Sequence, residues 1–439
     1  MRMRTLIVPL AGVAVLASCN LDLTNPNTAS QQATFTTHDG IIALATGLQS
    51  RYGETMDNFA YPGGFITDEM GARTGALLSY RDAENGILFN TYDAVETSWQ
   101  AHYRAIKTAN DVIANAPGVA LTDSTLSGIM SMAFLVKAMA YGQLVQQYQD
   151  AGVNLTTIGQ PGTFVDRATA MDTVLALLDS ALARYQSVVP GSEFRTKVLA
   201  PGFDLLNTIY AMQARYHRLT NDWAGALAAA QQVNLGVVSQ VPFSAQEINP
   251  IYNRSELAGY IYPRDTLRLE AEPGDQRVGF HIGGDTVPGN VRPLRHFAQY
   301  QSADAPIAVY YPAEIRLIIA EAAANASDLG TARNEINAVR TECGSGLHEP
   351  QPCLPALTDT DLPTQAAVIA QIYHERQISL FATGLRWEDA RRLNSVGGPG
   401  AIAKRCWLIY PQSESSINPN TPADPEPSEP SATPESCGV

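Results

Sequence analysis

Apolar residues recur every three or four positions along most of the chain. Trp99, Tyr103, Ile106 and Ile113 form one set, with Asn110 between them. Leu135, Ala138, Met139, Gly142 and Val145 form a second. Leu175, Leu178, Leu182, Tyr185 and Val189 form a third, and Leu205, Ile209, Met212, Tyr216 and Leu219 a fourth. That period places each set on one face of an α-helix, so the pattern predicts an all-α body of packed amphipathic helices. The third set is preceded by Thr169-x-x-Asp172. This is capping-box spacing, which satisfies free N–H groups at a helix start, so a helix is expected to begin there.

Two segments repeat each other. Ala214, Asp222, Trp223, Ala226, Ala230 and Val233 match Ala320, Asp328, Leu329, Ala332, Ile336 and Val339 at one constant offset. Each copy reads as a helix, an Asp-containing turn and a second helix, with alanines where the two helices approach. This is the tetratricopeptide style of helix–turn–helix pair. The period fails from about 242 to 311, where Pro, Gly and Tyr dominate. An irregular excursion of that length inside a helical body is usually functional. Residues 20–35 and 56–92 also read as irregular. Residues 419–439 are rich in Pro, Ser and Glu and are expected to be a disordered tail.

The N-terminus changes the setting. Met1-Arg2-Met3-Arg4 is basic, Leu6 to Leu16 is an apolar run, and Leu16-Ala17-Ser18-Cys19 follows. The run has the length of a signal-peptide core and is too short to span a bilayer. Small residues just before a cysteine form a lipobox, so residues 1–18 read as a lipoprotein signal peptide and Cys19 as the acylated first residue. Two or three acyl chains anchor a protein stably. No later stretch reads as a transmembrane helix. The mature chain is expected to hang from a membrane as one domain over 19–418.

The 439 residues are 45% apolar and carry a net charge of −14. Such an acidic surface, without a basic cluster, argues against nucleic acid as a partner. Apart from Cys19 there are four cysteines, an even number in an exported chain, which suggests disulfides. Cys343 and Cys353 share a Gly/Pro-rich loop and are the favoured pair. Cys406 with Cys437 would then pin the tail, and the other pairings stay open. No Cys-x-x-Cys, phosphate loop, dinucleotide fingerprint or Gly-x-Ser-x-Gly occurs, and no cofactor or metal is expected. His374-Glu375 lacks the second histidine of a metalloprotease motif.

Several blocks resemble one family. Ser98-Trp99-Gln100-Ala101-His102-Tyr103-Arg104-Ala105-Ile106, followed by Ala109-Asn110, is similar to the first helix of SusD/RagB proteins. Pro312 to Ala322 and Ala332 to Arg340 resemble their late helical pair. His374-Glu375-Arg376 followed by Gly384-Leu385-Arg386-Trp387-Glu388-Asp389-Ala390-Arg391-Arg392 is the most specific match. Tyr410-Pro411 with Ile417-Asn418-Pro419-Asn420 resembles the closing segment. Thr383 stands where the family usually has an acid, and the Pro/Glu tail and extra cysteines are atypical. The resemblance implies tetratricopeptide-like pairs carrying irregular ligand-binding excursions. It also implies a SusC-like TonB-dependent outer-membrane transporter as partner, an oligosaccharide or peptide as cargo, and a cell-surface, lipid-anchored location. A tetratricopeptide-like scaffold lipoprotein that binds another protein is the alternative; a lipid-anchored glycosidase is a third and weaker one.

Candidate ligand residues follow from sugar chemistry. Sugar rings stack on aromatic faces, and their hydroxyls bond to Asp, Asn and Arg. Asp68, Glu69, Arg73, Tyr80, Arg81, Asn85 and Tyr92 supply that mix in the first irregular segment. Tyr260, Tyr262 and Tyr300, with His281, His296 and Phe297, supply it in the long excursion. Glu375, Arg376, Arg386, Trp387, Asp389 and Arg392 look chemical. They are better read as an ion-pair network locking the C-terminal helices, because buried arginines need carboxylate partners.

Overall fold

The computed structural model describes residues 31–152, 161–344 and 349–438. The signal peptide and Cys19 lie outside the described residues. Ten helices carry the body: α1 (His38–Ile66), α2 (Asp93–Asn115), α3 (Asp123–Gln147), α4 (Arg167–Ser187), α5 (Leu205–Leu219), α6 (Trp223–Ala230), α7 (Pro312–Asn325), α8 (Leu329–Arg340), α9 (Gln365–Ser379) and α10 (Arg386–Arg392). Consecutive helices pack as pairs, and α3 lies at the centre against α1, α2 and α4. Short helices and two-stranded pairs fill the connections.

The internal repeat is matched bond for bond. Two residues beyond the ends of α5 and α7 the backbone turns left-handed, at Asn221 (φ 59°) and Ser327 (φ 63°). The Asp222 N–H donates to the His217 carbonyl, and the Asp328 N–H to that of Ala323. The two aspartates then cap the next helices, accepting from the N–H of Gly225 and Thr331. A side-chain cap and a six-residue backward bond satisfy both helix ends at one turn.

Four sequence expectations are corrected. First, α3 is long and apolar enough to cross a membrane, although none of the later chain was expected to be. Its apolar window is 89% buried inside the protein, so it is the core helix. Gly142 on this helix leaves room for the Tyr216 ring. Second, α4 starts at Arg167 rather than at Thr169. Asp166 is the cap, and the Thr169 N–H donates to it at 2.8 Å.

Third, the irregular segments are partly helical: Gln31–Thr36 is a helix, and α1 runs on to Ile66 through Pro62, Gly63 and Gly64. Those residues mark close packing rather than a loop. A Cβ on Gly63 would lie 3.0 Å from the Gly384 Cα. Fourth, the tail is placed against the body as far as Gly438. The Trp407 and Tyr410 N–H groups donate to Glu426 and Asp424, each at 2.7 Å, and Leu88 N–H donates to the Ser428 carbonyl. Cys406 and Cys437 are joined, as are Cys343 and Cys353. Low apolar content predicted disorder, but acids that meet free backbone donors, plus a covalent link, order the segment without a core of its own.

Candidate functional site

A short strand pair makes the site. Met70–Ala72 lies antiparallel to Ile261–Pro263, with Gly71 opposite Tyr262. The ladder extends on both sides, through Arg264 N–H to the Glu69 carbonyl and Arg73 N–H to the Tyr260 carbonyl. Gly71 is required here. A Cβ would lie 2.7 Å from Leu294 and 3.1 Å from the Arg264 guanidinium carbon. Thr74 donates from its N–H to Asn290 and from its hydroxyl to the Gly289 carbonyl. The two candidate segments, far apart in sequence, thus become one surface.

Between them lies a cleft of about 400 Å³, lined by Ala72, Thr74, Leu78, Arg81, Asp82, Glu84, Asn85, Arg264, Asn290, Val291, Arg292 and Leu294. Its size falls in the range of small-molecule sites, about 300–1,000 Å³. Leu77, Leu78 and Val291 are exposed at and beside it. Phe89 is 45% exposed and sits edge-to-face on Tyr92, whose hydroxyl donates to Asp82 in the cleft wall at 2.7 Å. An exposed aromatic ledge therefore adjoins the cleft.

The acids of this surface are already engaged. Asp68, with left-handed backbone (φ 63°), accepts from Arg292 at 2.5 Å and Lys404 at 2.9 Å, with Arg264 at 3.4 Å. Burial would raise its carboxyl, but the Arg292 and Lys404 hydrogen bonds outweigh burial and hold it below its ordinary value. Glu84 accepts from the Ala72 N–H and pairs with Arg264. Arg81 has no hydrogen bond or ion pair from its guanidinium among the described residues, and Arg73 has no ion pair there.

The remaining candidates are placed differently. Glu69 is 2% exposed, beneath the surface, where burial pushes its carboxyl up to about 7 against the pull of Arg386 and the Ala382 N–H. Tyr80 is buried. It donates to Asp93 at 2.7 Å and accepts from Arg254 at 2.8 Å. Tyr260 is half-buried against the Tyr80 ring. Tyr262 is buried with Val287 and Leu294, edge-on to His296, which bonds Glu256. Burial keeps the Tyr80 and Tyr262 ring faces from a ligand. Phe297 and His281 are buried too.

Tyr300 lies elsewhere, lining a separate cavity of about 280 Å³ with Phe280, Gln299 and Tyr311. A larger cleft of about 540 Å³ lies between α1 and residues 196–201 and 241–250. Several of its polar groups are already engaged: Gln49 bonds the Val198 carbonyl and the Ala200 N–H, Ser50 bonds Glu247, and Lys197 bonds Glu193 outside the lining. Arg292, Val291, Leu78 and Phe89 were missed in the sequence. The only local signal for this edge is the turn-rich run Gly289-Asn290-Val291-Arg292-Pro293, which contains no aromatic residue to mark it as a sugar platform.

The C-terminal charged block forms a clamp. Arg218 of α5 bonds Glu321 of α7 at 2.5 Å and Asp389 of α10 at 2.9 Å. The second Asp389 oxygen accepts from Arg376 of α9 at 2.8 Å. Burial would raise Asp389, but Arg376 and Arg218 outweigh it and hold the carboxyl low. Arg392 adds a contact to Glu321 at 3.3 Å, and Glu375 sits between Arg277 and Arg340 at 2.6 Å each. Trp387 donates its indole N–H to the Arg405 carbonyl, and Arg386 reaches Glu270 at 3.5 Å. One polar network therefore ties four helices together. Cys406, Glu426 and Glu435 converge, but the Cys406 sulfur is held in a disulfide and does not suit a metal.

Residues 296–424 match the model of the SusD family. No curated protein sequence matches the chain. Among solved structures, a SusD superfamily protein of Bacteroides thetaiotaomicron superposes with a TM-score of 0.69 at 15% identity, covering 89% of this chain and 100% of that one. A SusD-like carbohydrate binding protein of Bacteroides vulgatus gives a TM-score of 0.62 at 17% identity, covering 82% and 84%. NanU of Bacteroides fragilis gives 0.67 at 15% identity, covering 94% and 100%. Residues 296–424 are thus similar in sequence to the SusD family, and 89% of the chain shares the fold of a SusD superfamily protein.

Proposed function

We propose that the protein binds an oligomeric nutrient at the cell surface, without breaking a bond in it, and delivers it to a SusC-like TonB-dependent outer-membrane transporter. An oligosaccharide is the favoured cargo. The observation that carries this reading is the cleft between residues 72–85 and 290–294, with the Phe89–Tyr92 ledge beside it. It combines apolar surface, a free guanidinium and an exposed ring, the combination that sugar recognition uses. The fold shared with a protein described as carbohydrate binding adds support. The lipobox at Cys19 would tether the protein beside its channel, and the network of α5, α7, α9 and α10 would hold the cleft on a rigid frame.

Calorimetric titration against arrays of oligosaccharides and peptides tests the binding. Saturable binding to a saccharide, weakened about tenfold by Phe89→Ala, is the expected result. Binding that Phe89→Ala and Asn85→Ala both leave unchanged would move the site elsewhere. Delivery is tested separately by purifying the native protein from membranes. The transporter partnership fails if no large β-barrel accompanies it.

A further inference from the structure

The cleft has a surplus of donors. Most of the acceptors in and beside it are consumed within the protein: Asp68, just outside the lining, by Arg292, Lys404 and Arg264, Glu84 by the Ala72 N–H and Arg264, one Asp82 oxygen by the Tyr92 hydroxyl, and the Asn290 side-chain oxygen by Thr74, which leaves the second Asp82 oxygen and the Asn85 amide oxygen open among the described residues. Two guanidinium donors are not consumed in this way. Arg81 is exposed and unpaired among the described residues, and Arg292 is 48% exposed while spending one nitrogen on Asp68. Arg264, in the floor, is spent on Glu84 and Asp68, and Arg73 lies between the lining residues Ala72 and Thr74.

A neutral sugar hydroxyl both gives and takes hydrogen bonds, so a site for neutral glycans is matched by open acceptors in proportion to its donors, whereas here two open acceptor oxygens stand against the free nitrogens of two guanidinium groups. A carboxylate or sulfate only accepts, and a guanidinium meets it with two parallel N–H groups. From this imbalance we propose that the cleft selects an anionic oligosaccharide, with Arg81 and Arg292 contacting its acid groups. The inference rests on the saccharide-binding reading above and narrows it. Leu78 and Val291, both exposed at the cleft, supply apolar surface for the ring faces between the acid groups.

The test is titration of the purified full chain with two acidic probes, an oligogalacturonate and a chondroitin sulfate oligosaccharide. Methyl-esterified oligogalacturonate and a malto-oligosaccharide serve as neutral counterparts. The expected result is binding of an acidic probe at least about tenfold tighter than of its neutral counterpart, weakening between about 50 mM and 500 mM salt. Arg81→Gln and Arg292→Gln should each cost about tenfold or more while leaving the melting temperature unchanged. Preference for the uronate or the sulfated probe identifies the acid group. If a neutral probe binds best, with an affinity that neither salt nor the two variants alter, the anionic selectivity is wrong and saccharide binding stands. If no saccharide binds the wild-type protein, both readings fall.

Discussion

The Gln147 side-chain amide donates to the Asn58 carbonyl at 3.0 Å. That carbonyl is the acceptor Pro62 leaves without its helical partner, because proline has no N–H to return to position 58. The other end of the same amide accepts from the Ser98 hydroxyl at 2.7 Å. One buried side chain therefore repairs α1 and joins it to α2 and α3. Gln147→Leu keeps the volume and leaves two buried groups unpaired. It should destabilise the protein by about 1–3 kcal/mol, read as a lower midpoint in urea with an unchanged slope.

The crossing of α3 and α5 depends on the absence of a side chain at one position. A Cβ on Gly142 would sit 2.2 Å from the Tyr216 ring, too close for any rotamer adjustment at this buried site. Gly142→Ala should cost about 1–3 kcal/mol through overpacking. Gly118→Ala, with nothing within 4 Å of the added carbon, is the control and should leave the melting temperature near that of wild type. A Tyr216→Phe background would not relieve the clash, since ring carbons as well as the hydroxyl lie in the way.

Glu69 gives stability a pH dependence of known sign. Burial raises its carboxyl from an ordinary value of 4.5 to about 7. Between those values the folded protein keeps a proton that the unfolded chain has lost, so this residue's contribution to stability falls as pH rises. The loss begins near pH 4.5 and is complete above about pH 7. Glu69→Gln removes the titration. The variant should gain on wild type across that window, by something on the order of 1–3 kcal/mol, and show no gain at pH 4. Thermal melts of both proteins at several pH values check it. A difference that stays flat with pH would show that Glu69 does not titrate there.

Asp389 holds two arginines from two helices, Arg218 and Arg376. Asp389→Leu leaves both guanidinium groups buried with an incomplete set of acceptors. Removing one partner from a buried ion network costs about 3–5 kcal/mol, and the loss should appear in chemical denaturation. The same variant, where it folds, should bind any ligand of the cleft with little change, because the network lies in the helical frame and the cleft is built from residues 72–85 and 290–294.

The legibility of the chain follows the range of its interactions. The paired helices of residues 205–230 and 312–340 were readable because period, alanines and capping aspartates all lie within a few positions of one another. The C-terminal charges were readable as a network because arginine needs an acid, though Arg218 and Arg277, supplied from distant segments, were not. Arg81 and Asn85 were found at the cleft. Tyr80 reads as a ligand platform in the sequence, since nothing local announces the Arg254 and Asp93 that hold its hydroxyl indoors. Arg292 entered the cleft only through the pairing of Gly71 with Tyr262, a contact that no local pattern encodes. The tail failed for a similar reason: its acids are ordered by backbone donors at Trp407 and Tyr410.

That tail also fastens the site. Arg405 donates to the Gly86 carbonyl and to the Pro427 and Ser428 carbonyls, and the Leu88 N–H donates to Ser428. Residues 86–88 lead directly from the cleft wall to the Phe89–Tyr92 ledge, so the tail braces that connection from behind. The Cys406–Cys437 bond closes a loop of 31 residues, which by chain entropy contributes about 3–4 kcal/mol if the free tail is otherwise unstructured. Cys406→Ser with Cys437→Ser should lower the melting temperature and speed hydrogen exchange at the Leu88 amide, while exchange in α3 changes only as far as global stability does. Ligand affinity should fall in the same variant, since Phe89 would no longer be held at a fixed angle to the cleft. Fast exchange at Leu88 in the wild-type protein would mean that the tail is not docked in solution, and the brace would then have no part in binding.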